Sequence, residues 1–194
     1  MGRSKKIQSV LLRSKNKLKK FRQLEDGAAV IEFALVLPVF MILISMFAIA
    51  ARGELLSTQV EQTAATVSDI IAQSDSMSTN EVDAAMRAGE AIAGTETAQQ
   101  VKLGVIGVKI KSGNRSEVIW TRTLNGATVP AVGSTNYPMP AGLLDEPGFI
   151  VVSEASLEYI PTIGSNLTGP IPLSSKHYFV PRNGAQSSCS GCNP

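Results

Sequence analysis

The most constraining feature of the chain is the run Ala28–Ala51, AAVIEFALVLPVFMILISMFAIAA, in which Glu32 is the single charged residue. A helix rises ~1.5 Å per residue and a bilayer's hydrocarbon core is ~30 Å thick, so ~20 residues suffice to cross it. The charge around the run is lopsided. Residues 1–26 hold nine Lys or Arg against Glu25 and Asp26, a net of +7, whereas the remaining residues hold nine basic and fourteen acidic groups, a net of −5. Positive charge directly before an apolar segment orients it with its N-terminal side in the cytoplasm. The same charge does not read as a nucleic-acid surface, because it ends at a hydrophobic segment and lacks interleaved aromatics. Ile7, Val10, Leu11, Leu18, Phe21 and Leu24 recur there at helical spacing among lysines. That pattern suits a basic amphipathic stretch lying on membrane lipid, or a charged tail that only sets orientation.

Two residues inside the run are unexpected. Pro38 removes a backbone donor and crowds the carbonyl of Ala34, which predicts a helix kink. Glu32 lies close to the start of the run, where a carboxylate costs ~2.5–3.5 kcal/mol on insertion scales unless it has a partner or reaches water.

The junction Gly27, Ala28, Ala29, Val30, Ile31, Glu32, Phe33 resembles the cleavage site of type IV pilin-like precursors: a charged leader, a glycine, four apolar residues, Glu-Phe and a long apolar helix. Within that group it is most similar to the TadE-like pseudopilins of the tight-adherence (Flp) pilus system. Their shared region has the form GAAxIEFALVLPVF, and residues 27–40 here read GAAVIEFALVLPVF. The resemblance covers about residues 22–65. It implies a cut by prepilin peptidase between Gly27 and Ala28, and assembly of subunits through Glu32, Phe33 and the helix that follows. Glycine before the cut offers an unhindered backbone to a protease. Cleavage would create the α-amino group of Ala28, a counter-ion for Glu32 that a neighbouring subunit could supply. The partners so implied are other pilin-like subunits, the inner-membrane pilus assembly platform, prepilin peptidase and membrane lipid. The implied location is the bacterial inner membrane, N-terminus cytoplasmic and C-terminal domain periplasmic, with the pilus surface as a further destination.

Two other fates stay open on the residues. Ala48-Ile49-Ala50 fits the small-x-small rule for a signal peptidase cutting before Ala51, which would release a secreted module. Without any cut, the chain is a single-pass membrane protein whose outer domain binds a ligand or partner.

Beyond Arg52 the helical pattern resumes through Leu55, Leu56, Val60, Val67, Ile70 and Ile71, which predicts one helix to about Gln73. Ser74 to Thr79 breaks it. Ser78 followed by Glu81 is a capping-box signature for a second helix over 79–93, ending near Gly94. Val101–Lys111 and Glu117–Leu124 flank a Ser-Gly-Asn-Arg-Ser turn and predict a hairpin. Residues 127–148 are rich in Pro and Gly and read as an irregular surface loop. Phe149–Ile160 alternates, with Phe149, Val151, Leu157 and Tyr159 opposite Glu154 and Glu158, and Ile171–Val180 is a fourth strand. The expected fold class is α+β: a long N-terminal transmembrane helix continuing into a periplasmic helix, then a small, mostly antiparallel β-sheet domain. The domain expectation is a leader at 1–27, the transmembrane helix at 28–51, its extension at 52–75 and an α+β domain at 76–194 with a flexible C-terminal tail.

Candidate chemistry is sparse. His177 is the single histidine, in a strand-like segment beside Lys176 and Tyr178, and reads as exposed surface. No phosphate loop, nucleophile elbow or metal-ligand cluster is present in the sequence, so no catalytic residue, metal or cofactor is expected and the chain reads as structural rather than enzymatic. Cys189 and Cys192 form C-x-x-C near the C-terminus, where an oxidising compartment would close a small disulfide loop.

Overall fold

The computed structural model describes residues 26–94, 100–111, 115–140, 143, 147–182 and 186–192. The basic segment 1–25, the centre of the expected hairpin turn at 112–114 and the end of the tail at 193–194 lie outside these. The chain divides into two compact units, Met1–Ile49 and Ala50–Pro194. The helix α1, Asp26–Ala72, contributes to both and continues on either side of Pro38.

In the first unit, residues 27–44 are all exposed, although the helix is long and apolar enough to cross a membrane. In the second, α1 turns a stripe of Leu56, Val60, Thr63, Ala64, Val67, Ser68 and Ile71 into the core, a 3–4 spacing that keeps one helix face inward. Each aliphatic side chain buried there contributes ~1.5–3 kcal/mol. After the short strand β1, Ser76–Ser78, the helix α2 spans Thr79–Ile92 and opens on the expected capping box. The Ser78 hydroxyl accepts the Glu81 N–H, and the Ser78 N–H donates to Glu81 Oε2 at 2.7 Å. α2 buries Val82, Ala85, Met86 and Gly89. At Gly89 a Cβ would collide with Val67, and the Thr63 hydroxyl donates to the Gly89 carbonyl at 3.2 Å, so a residue without a side chain allows the two helices to approach.

The sheet comprises β2 (Lys102–Lys111), β3 (Arg115–Leu124), β4 (Gly148–Tyr159) and β5 (Ile171–Phe179), antiparallel throughout in the order β3-β2-β4-β5. A one-turn helix α3, Ser165–Thr168, lies between the last two. The α+β class is therefore observed, as a long apolar helix followed by a small antiparallel sheet. One core joins α1 and α2 to Leu103, Val105, Trp120, Phe149, Val151, Ala155 and Leu157. A second forms on the opposite sheet face from Ile106, Val108, Ile110, Val118, Ile150 and Val152, together with Tyr137.

The second core qualifies the reading of 127–148 as a surface loop at Tyr137, while the other described residues of that stretch are exposed or half-buried. Residues 133–136 hydrogen-bond along the outer edge of β3: Val118 N–H donates to Ser134 O, Gly133 N–H to Val118 O and Asn136 N–H to Ser116 O. Tyr137 is buried beneath this strap. β4 is accordingly buried on both faces from Phe149 to Ser153, and the expected apolar/polar alternation holds only further along.

The C-terminal segment also departs from expectation. The sequence predicts a flexible tail, yet β6, Ser188–Ser190, pairs in parallel with β1 in the register Ser76↔Ser188, Met77↔Cys189, Ser78↔Ser190. Three residues on each side, mostly serine, carry no period that a sequence reading can detect.

Candidate functional site

Gly27 and Ala28 are helical and exposed, and a Cβ added at Gly27 would meet nothing within 4 Å. No steric demand of the fold thus explains glycine here. Glycine does weaken the helix locally by ~1 kcal/mol relative to alanine, which eases unwinding at this bond. Glu32 is exposed, and among the described residues no side chain pairs with it. Phe33 is 66% exposed, within a surface that includes Val30, Ile31, Leu35, Phe40, Leu43 and Phe47. Ser45, the one hydroxyl of the apolar run, donates to Met41 O at 2.7 Å and so satisfies itself within the helix. The alternative cut before Ala51 falls in the middle of α1.

Cys189 and Cys192 are bonded to each other. Cys192 is buried in the main core and Cys189 packs against it half-buried. Gly191, at φ +83°, makes the turn between them. Around this turn, the Thr79 hydroxyl donates to Ser190 O at 3.1 Å and Ser188 N–H donates to Asp75 O at 3.0 Å. Ser187 Oγ donates to Ser74 O, and the Trp120 indole N–H donates to Ser187 O at 2.8 Å.

The remaining polar clusters are structural. Arg122 grips Asp83 with two bonds of 2.7 Å, joining β3 to α2, and holds that carboxyl below the usual Asp range. Across the hairpin Lys111 Nζ pairs with Glu117 Oε2 and likewise lowers that carboxyl from its ordinary value. On the strap side, Glu154 accepts from the Tyr137 hydroxyl and from Lys176 Nζ, the latter at 2.7 Å. Burial, followed by the bond to Glu154, pushes Tyr137 well above the ordinary tyrosine value. His177 is part-exposed, its Nε2 3.9 Å from Glu61 Oε1 on α1. Among the described residues no group of three His, Cys, Asp or Glu could hold a metal. An open groove on the sheet face is lined by Lys102, Ser156, Glu158, Ile160, Pro172 and Ser174, mixed in charge and shallow.

No protein-family profile, no curated protein and no solved structure matches the chain. The site residues singled out from the sequence fall into three groups: the junction at 27–33, Pro38 within α1, and the C-terminal cysteines. The contacts that tie the cysteines into the domain, through Ser74, Trp120 and Ser187, carry no sequence signal.

Proposed function

We propose that this chain is a TadE-like pseudopilin: a non-enzymatic subunit cut after Gly27 by prepilin peptidase, anchored in the inner membrane by α1 and assembled with like subunits into a pilus. The observation that carries this reading is Glu32, the one charge in an otherwise apolar and uncovered stretch of helix, without a partner among the described residues. On a membrane-spanning segment a lone carboxylate is stabilised by a counter-ion from outside the chain. The Ala28 amine of a neighbour, freed by cleavage, supplies one of the right charge. The apolar side chains from Phe33 to Phe47 then serve as the packing surface, while the domain beyond Ala50 faces the periplasm.

Intact-mass and N-terminal analysis of the protein from its native host tests the proposal. A mature chain beginning at Ala28, and unprocessed chain when prepilin peptidase is deleted, is the expected result. A chain beginning at Met1 overturns it in favour of an unprocessed single-pass protein with an outer binding domain. A chain beginning at Ala51 overturns it in favour of a secreted module. Glu32→Ala separates cleavage from assembly: the variant is expected to mature normally but fail to join other subunits, and normal piliation would count against the role given to Glu32.

A further inference from the structure

Residues 186–192 read Gln-Ser-Ser-Cys-Ser-Gly-Cys, so the two cysteines are the only apolar anchors in the whole segment. Everything else that holds it is a handful of hydrogen bonds and a three-residue parallel strand pair, too short to be stable by itself. Yet the segment ends in the main core, where Cys192 is 1% exposed. It spans three separate elements: β1 through the strand pairing, the start of α2 through Thr79, and β3 through the Trp120 indole. The oxidation state of the two sulfurs therefore sets how well this segment can dock. As a disulfide they form one compact apolar anchor on a closed turn. As thiols they are two separate small apolar groups on a Ser-Gly turn that no covalent bond holds closed.

We propose that Cys189 and Cys192 form a redox latch that seats the C-terminal strand against the elbow between α1 and α2. The reduced chain carries the folded four-stranded sheet with residues 187–192 undocked. Oxidation then closes the latch by exchange with a small-molecule or protein disulfide. In the undocked segment the thiolate of Cys189 attacks the donor disulfide and releases one donor thiol. The Cys192 thiolate next attacks the Cys189 sulfur of the mixed disulfide and releases the second. The chain gives up two electrons and two protons, and the donor disulfide is reduced to two thiols. This latch does not depend on the junction at Gly27.

Trp120 reports on it directly, because it is the single tryptophan of the chain and its indole N–H donates to Ser187 O. The full chain in detergent, oxidised with glutathione disulfide and then reduced, is followed by tryptophan emission and amide hydrogen exchange. Free thiols are counted afterwards under denaturing conditions. Reduction is expected to red-shift the emission and to speed exchange in 74–79 and 187–192 by about tenfold or more, with protection in β2–β5 unchanged. Glutathione disulfide is expected to reverse both changes. The doubly substituted Cys189→Ser, Cys192→Ser chain is expected to give the reduced signature under either condition. Unchanged emission and exchange after complete reduction would overturn the latch. So would a loss of protection throughout β2–β5, or free thiols at both positions in protein taken from an oxidising compartment.

Discussion

Gly107 lies opposite Trp120, at the point where the pairing of β2 with β3 slips by one residue between Gly107 and Val108. A Cβ there would run into the indole ring and the Phe149 ring. Gly107→Ala is therefore expected to destabilise the domain by ~1–3 kcal/mol, the usual cost of overpacking, read as a lower urea midpoint with an unchanged slope. Ser153 works the other way. Its hydroxyl is fully buried in the middle of β4 and has no hydrogen-bond partner among the described residues. Such an oxygen costs ~1–3 kcal/mol, so Ser153→Ala is expected to raise the midpoint, and a fall would show that the hydroxyl is satisfied in solution. Neither feature was legible in the sequence. A glycine inside a strand pattern signals a bulge or a close approach without saying of what, and a lone serine says nothing about its burial. The Ser78/Glu81 pair was legible, because a capping box is local and its spacing is the signal.

At the scale of elements, the same capping box predicts that Ser78→Ala costs ~1 kcal/mol of stability. Glu81, Asp83 and Glu117 are all held below their ordinary values, by Ser78, Arg122 and Lys111 respectively. A depressed carboxyl adds stability above its unfolded value and loses it as the pH falls through the folded one. Denaturation midpoints are thus expected to decline below about pH 4, and Arg122→Gln should flatten part of that decline. Tyr137 is the reverse case. Its raised value favours the protonated form, so stability is full below the ordinary tyrosine range and lost as the pH climbs past about 10. Tyr137→Phe should soften that alkaline loss at the expense of the bond to Glu154. α2 was visible from its capping box, β2 and β3 from the turn between two apolar runs and β4 from its alternation, and each of these elements is ten residues or longer. The strap was not, since a mostly exposed segment rich in Pro and Gly shows no period. Its one clue was a bulky Tyr137 beside Pro138.

For the molecule as a whole, every core residue from Leu56 onward belongs to the unit Ala50–Pro194. A chain beginning at Ala50 is therefore expected to fold cooperatively, with a midpoint matching the full chain in detergent. A molten fragment without a sharp transition would disprove that independence. The long helix and the antiparallel sheet were legible from patterning, whereas the closing of the domain by its last strand was not, because partners more than a hundred residues apart leave no local trace. That long-range pairing has a further consequence. β1 lies near the start of the folded unit, and its only strand partner among the described residues is β6 near the other end. A chain emerging from the ribosome or a translocon N-terminus first must keep β1 waiting until residue 190 has cleared the exit. Nested chains ending before that point would carry the sheet but leave the α1–α2 elbow uncovered, so a prematurely terminated product would show a surface that quality-control proteases can recognise.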